Sequence, residues 1–218
     1  ITQQGKDPLL KWIELDKGYS HGLGESQSRL FENIIGRSLP FWKFFYCKLH
    51  DIFPYFKNIE LKDFYRAINV IKASPIRVYA DEVTYQLHIM LRFEIEEALL
   101  SDEIEVKDLP DIWNENMEKY LGIIPENDAE GVLQDVHWSE GLVGYFPSYL
   151  LGNLFAAQFF ATMKREMSCL EDEISIGNFQ NLHEWLREKV QRFSLVREAP
   201  ELLKNVTGEG PNPEHWLD

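Results

Sequence analysis

Basic residues are scarce in this chain: 22 Lys and Arg stand against 36 Asp and Glu, a formal net charge of −14 over 218 residues. The acidic residues are spread along the chain instead of gathered in a tail, so a nucleic-acid backbone or an anionic membrane surface is a poor partner. Cysteine is scarcer still. Cys47 and Cys169 fit no metal-binding spacing and are too few for a disulfide scaffold; they read as reduced core residues of a cytoplasmic protein. There is no Gly-x-Ser-x-Gly, no phosphate-binding glycine loop and no Cys-x-x-Cys. His183-Glu184 opens like half of a zinc-binding His-Glu-x-x-His helix, but Arg187 stands where the second imidazole would be, so the stretch reads as surface helix. No signal peptide is visible, and the start at Ile1 without Met reads as a truncation.

What the chain has in quantity is apolar and aromatic surface: 44% hydrophobic residues with six Trp, nine Tyr and fourteen Phe, enough for the core of one large domain or two small ones. Residues 1–21 read as irregular, punctuated by Gly5, Pro8 and Gly18, with Lys11-Trp12-Ile13 as an anchor. A helix from about Glu25 to Ile35 would place Glu25, Arg29 and Glu32 on one face and Leu30, Phe31, Ile34 and Ile35 on another. The aromatic run from Phe41 to Phe56 reads as core or the wall of a groove. Helical spacing returns in Leu61, Phe64, Tyr65, Ile68 and Ile71 and must stop before Ser74-Pro75.

The longest helix expected runs from Pro75, with Ser74 as its cap, to about Leu100. On it Arg77, Asp81, Thr84, His88 and Arg92 form one polar stripe, facing either a cleft or solvent. An acidic connector over residues 101–109 precedes a helix from Asp108-Pro110 to Leu121, ended by Gly122. Residues 122–147 read as loops with a short β-hairpin at most, around Gly131 to Trp138. The nearly uncharged stretch Ser148–Met167 is long enough to raise a membrane span, but Asn153, Gln158 and Thr162 interrupt it and make it a central buried helix, with Gly152 and Ala156 inviting a close neighbour. Helices at about Asn178–Phe193 and Pro200–Val206 close a chain of mainly α class.

Two constellations carry chemistry. In Gly131-Val132-Leu133-Gln134-Asp135-Val136-His137-Trp138, Asp135 stands two residues before His137, where it either fixes the imidazole tautomer for ligand binding or serves a turn. Tyr145 and Tyr149, in Gly144-Tyr145-Phe146-Pro147-Ser148-Tyr149, carry hydroxyls that either donate to a developing oxyanion or are structural. Glu25 by spacing alone reads first as an ion-pair partner of Arg29 on a solvated turn, with a ligand role as the alternative.

Taken together, Glu25-Ser26-Gln27-Ser28-Arg29 with Glu32-Asn33 and Gly36-Arg37-Ser38, Ile76-Arg77-Val78-Tyr79-Ala80-Asp81-Glu82, Gly131 to Trp138, Gly144 to Asn153 and Thr207-Gly208-Glu209-Gly210 resemble the carboxypeptidase Taq family of zinc metallocarboxypeptidases. The resemblance implies a zincin-like, mainly helical fold and release of single C-terminal residues from peptides by metal-activated water. It matches Glu25 to the glutamate ligand of zinc or another divalent metal. Arg77 matches the arginine that clamps the peptide's free C-terminal carboxylate, for which a bidentate guanidinium suits. Asp81, Gln134, Asp135 and His137 fall on the substrate side, and His137, Tyr145 and Tyr149 join Arg77 among the catalytic groups. The implied partner is a peptide with a free C-terminus, and the complete enzyme would be a homodimer.

Two features depart from that pattern. Gly24 occupies the position of the family's His before the glutamate, and no His-Glu-x-x-His occurs anywhere. Aligning Gln4-Gly5 with the Gln-Gly after the family's zinc helix makes residues 1–218 a single helical domain, the C-terminal part of a larger catalytic domain. Such a fragment is expected to hold no metal and to be inactive. The alternative is a non-catalytic helical module for peptide binding or dimerisation.

Overall fold

The computed structural model describes residues 5–13 and 20–217; Gln4 and Gly18 lie outside them. Every regular element among these residues is helical: α1 (His21–Arg29), α2 (Leu39–Ile52), α3 (Leu61–Ile68), α4 (Glu82–Leu100), α5 (Leu109–Leu121), α6 (Pro147–Glu166), α7 (Leu170–Ser175), α8 (Gln180–Lys189), α9 (Ala199–Thr207) and α10 (Glu214–Leu217), with short 3-10 turns between. The mainly α expectation is met, and residues 131–138 form turns instead of a hairpin. No helix among the described residues is long and apolar enough to cross a membrane. The chain divides into two compact units, residues 1–68 with 151–218, and residues 69–150.

In the first unit, α1 starts four residues earlier than the pattern suggests, because the Ser20 hydroxyl accepts the Leu23 N–H and caps it. From Leu30 to Ile35 the helix widens into π geometry, closed by a bond from the Gly36 N–H to the Phe31 carbonyl at 2.9 Å. A Cβ at Gly36 would lie 2.7 and 2.8 Å from the carbonyl oxygens of Phe31 and Glu32, so this closure requires glycine. Leu23, Leu30 and Ile35 then pack with Phe155, Phe159 and Met163 of α6 and with Leu186, Leu202 and Leu203. The aromatic helix α2 buries only Tyr46 fully, and Trp12, expected as an anchor, is 86% exposed. Cys47 and Cys169 are free and exposed, a correction to their expected place in the core.

The helix at 148–167 is α6 as expected, and Gly152 explains its small residues. A Cβ there would sit 2.6 Å from the Glu25 Cβ and 3.0 Å from the Glu25 carbonyl carbon. Neither neighbour can rotate away. Gly152→Val is therefore expected to destabilise the chain by about 1–3 kcal/mol through overpacking, which outweighs the gain of about 0.4 kcal/mol in helix propensity. A thermal midpoint equal to or above that of the parent would contradict the crossing.

In the second unit, the long helix expected from Pro75 begins only at Glu82. Asp81 decides this: its Oδ1 accepts the Val83 and Thr84 N–H groups, both at 2.9 Å, whereas Ser74 Oγ accepts only the Ile76 N–H at 3.3 Å. Arg77–Tyr79 form a separate 3-10 turn. The polar stripe faces inward, with Thr84, His88, Arg92 and Glu96 buried, while Val83, Met90 and Phe93 are exposed. α5 packs on α4 through Leu91, Ile95, Trp113 and Met117, and it ends at Gly122 in the left-handed conformation (φ 68°), as Gly122 leads one to expect.

Candidate functional site

Glu25 belongs to the first unit. It sits in the middle of α1, and its Oε2 accepts the Ser28 hydroxyl at 3.0 Å. Its neighbours anchor the helix: Ser26 Oγ donates to the Leu23 carbonyl at 2.7 Å, and the buried Gln27 accepts from Gln191 Nε2 at 3.1 Å. With Gly152 against its backbone, Glu25 is held on a rigid crossing. Arg29, its expected ion-pair partner, stands 3.6 Å from Glu32. A Cβ at Gly24 would meet nothing within 4 Å, so close packing is not what requires glycine there. As metal donors α1 offers Glu25 and, one turn earlier on the same face, His21. Among the described residues no three His, Cys, Asp or Glu converge on one point. This donor set alone does not make a three-ligand catalytic metal site.

In the second unit the structure gathers Arg77, Gln134, Asp135, His137, Tyr145 and Tyr149. Gln134 ties the 131–138 loop to the Arg77 turn: its Oε1 accepts the Arg77 N–H at 2.8 Å, and its Nε2 donates to the carbonyls of Pro75 and Glu130 at 2.9 and 2.7 Å. That staple brings Asp135 against two arginines. Arg77 donates from Nε at 3.0 Å and from Nη2 at 2.6 Å to Asp135 Oδ1. Arg92 donates from Nε at 2.7 Å to Oδ2, with its Nη2 2.6 Å from the same oxygen. Arg92 is fully buried over the Trp113 ring, 4.5 Å from its centroid, and its Nη1 donates to the His88 carbonyl at 2.7 Å. Arg77 Nη1 donates to the Tyr85 hydroxyl at 2.9 Å.

The charges follow from this packing. Burial pushes the Asp135 carboxyl up, but the Arg77 hydrogen bond and the Arg92 charge outweigh it and hold the group below the ordinary carboxylate value. Burial pulls Arg77 down, and the hydrogen bond to Asp135, with the Asp135 charge and the Tyr85 hydroxyl beside it, more than restores it. Arg92 is lowered to about 10, burial prevailing over Asp135, and still carries its proton at neutral pH. Two guanidinium groups thus share one carboxylate, leaving one unit of positive charge. Burial, with the Arg92 charge second, lowers His88 to about 4; its Nε2 donates to the Ser74 carbonyl at 3.0 Å, so the neutral ring turns Nδ1 to Arg92.

His137 is not held by Asp135 as the Asp-x-His spacing suggests. Its Nδ1 lies 3.8 Å from Asp135 Oδ1, beyond hydrogen-bond reach, because the carboxylate is taken up by the arginines. Its Nε2 meets the Tyr149 hydroxyl at 3.0 Å, and Tyr145 stacks edge-on against Tyr149 with ring centroids 5.3 Å apart. Burial, opposed by Asp135 but aided by Arg77 and Arg92, lowers His137. Asp81, expected on the substrate side, uses both carboxylate oxygens locally: Oδ2 accepts the Thr84 hydroxyl at 2.7 Å and the Lys72 N–H at 3.0 Å. It is a helix cap in this structure. Tyr85 is the member that the sequence did not mark, since nothing in the α4 pattern separates it from core aromatics; Arg92 was marked only as one residue of a stripe.

Comparison with known proteins identifies the family. The family model described as carboxypeptidase Taq (M32) metallopeptidase matches residues 2–218. Carboxypeptidase 1 of Bacillus subtilis (strain 168) is 45% identical over 219 residues, covering 100% of this chain and 44% of its own length. Thermostable carboxypeptidase 1 of Thermus thermophilus is 44% identical over 198 residues, 91% of this chain and 39% of its own. The crystal structure of the M32 carboxypeptidase from Deinococcus radiodurans R1 superposes with a TM-score of 0.93 at 38% identity, covering 99% of this chain and 44% of that one. The chain spans less than half the length of these relatives. With its motifs in the family order and its helices in the family fold, the chain belongs to the carboxypeptidase Taq (M32) metallopeptidases.

Proposed function

We propose that this chain supplies the substrate-carboxylate seat and one metal ligand of a metallocarboxypeptidase that releases single residues from peptide C-termini. The observation that carries the reading is Arg77. Of its five guanidinium N–H donors, Asp135 and Tyr85 take three; the other two have no partner among the described residues, and the trio of Arg77, Arg92 and Asp135 carries one unit of net positive charge. A peptide's terminal carboxylate matches that pair of donors in charge and planar shape. An amidated terminus does not.

His137 and Tyr149 act beside the seat. The neutral imidazole orients the Tyr149 hydroxyl, and Tyr149 or Tyr145 would donate to oxygen as it gains charge during peptide-bond cleavage. Glu25 is the residue that would ligate the divalent metal, zinc in our reading, and the metal supplies Lewis acidity when bound. A cytoplasmic homodimer is proposed for the complete enzyme on the resemblance alone. A non-catalytic peptide-binding module would share the same seat; turnover of peptide would count against it.

The seat is tested by calorimetric titration of the 218-residue chain with a blocked dipeptide as free acid and as amide. The acid is expected to bind more tightly, and Arg77→Met to remove roughly 10- to 100-fold of that preference, the worth of charged hydrogen bonds. Equal binding of acid and amide by the parent chain would sink the reading.

A further inference from the structure

Arg92 cannot touch a peptide. Its side chain is 0% exposed, roofed by Trp113 and by Phe146, whose ring centroid lies 5.4 Å away; Nε donates to Asp135 and Nη1 to the His88 carbonyl, while Nη2 lies 2.6 Å from the same Asp135 oxygen without hydrogen-bond geometry. Burying a guanidinium is costly, and what it reaches is the oxygen of Asp135 opposite the one gripped most closely by Arg77. The carboxylate lies between two guanidinium groups, one locked in the core by α4 and one carried by the Arg77 turn.

We propose that Arg92 is a positioning residue for substrate binding: it holds Asp135 so that the Arg77 guanidinium presents its two uncommitted N–H groups, and it supplies the positive charge that Asp135 would otherwise cancel. The proposal rests on the reading of Arg77 as the carboxylate seat. A lone Arg77–Asp135 pair is neutral and offers little to an anion; with Arg92 added the trio keeps its charge, and the seat discriminates a carboxylate from an amide. Tyr85 completes the frame by accepting from Arg77 Nη1, which limits rotation of the guanidinium about its long side chain.

The experiment compares acid-over-amide preference for the blocked dipeptide in the parent chain, Arg77→Met, Arg92→Met and Arg92→Lys, with helicity and thermal midpoint measured alongside. Arg92→Met is expected to lose about tenfold in acid affinity with the amide affinity unchanged. Arg92→Lys restores the charge but not the planar guanidinium that reaches Asp135 and the His88 carbonyl at once, and is expected to recover only part of it. A purely structural role would weaken acid and amide binding together, in step with the thermal midpoint. If Arg77→Met loses the preference while folded Arg92→Met keeps it, the positioning role is overturned and the seat stands. If Arg77→Met keeps the preference, the seat and the proposal fall together. Should Arg92→Met not fold, Arg92→Lys and the 15N resonance of Arg77 Nε decide: an unchanged Arg77 Nε–H signal and unchanged preference in Arg92→Lys would refute the proposal.

Discussion

Asparagine in place of Asp135 is expected to lower the stability of the second unit by about 3–5 kcal/mol, the cost of removing one partner from a buried charge network. The magnitude follows from what remains. Arg77 and Arg92 are 6% and 0% exposed, and with Asp135 neutral their charges face each other without an intervening carboxylate. Native-state hydrogen exchange of α4 and α5 amides, read by itself, isolates the second unit from the first. The double variant Asp135→Asn with Arg92→Met removes one of the stranded cations and should recover part of the loss, since charge pairs replaced together by apolar volume are far less costly than pairs broken singly. A single-variant cost below 1 kcal/mol would mean that water reaches the arginines and that the network is not desolvated.

Acidification is expected to cost nearly as much through His88. Its folded-state pKa of about 4 lies below the unfolded value of about 6.5, so the unfolded chain takes up a proton first as the pH falls. The contribution is therefore fully present above pH 6.5 and is lost progressively down to about pH 4, amounting to about 3 kcal/mol for this buried ring. His137, lowered by burial, acts in the same direction. Asp135, held below its ordinary value by Arg77 and Arg92, adds its own loss further down. Urea unfolding at a series of pH values checks this, with His88→Gln as the control, because an amide can still donate to the Ser74 carbonyl without titrating. The slope between pH 6.5 and 4 should flatten in that variant; an unchanged slope would assign the acid sensitivity to other groups.

Local chemistry was legible in the sequence wherever a backbone demand has a local answer. Pro110 and Gly122 bracket α5, since proline suits a first helical turn and glycine the left-handed residue after the last. Gly152 announced a close approach, and the near absence of charge from 148 to 163 announced a buried helix. The ordered motifs were sufficient for the family. The start of α4 was not legible, because Ser74-Pro75 and Asp81 are both acceptable openings, and only the two N–H groups and the Thr84 hydroxyl converging on Asp81 show which prevails.

The tertiary structure alone decided what Asp135 does. Two residues before His137 it looked like that ring's support, yet its partners Arg77 and Arg92 lie 58 and 43 positions away. A carboxylate in a low-dielectric interior goes to the nearest charges that compensate its desolvation, and sequence proximity has no weight in that choice. The sequence by itself determined the helical class, the family and the ends of α5, α6 and α9, all of which rest on short-range bonding and periodicity. The folded chain decided that the polar stripe of α4 turns inward, that both cysteines face out, and that an arginine trapped in the core stands behind the one expected to meet substrate.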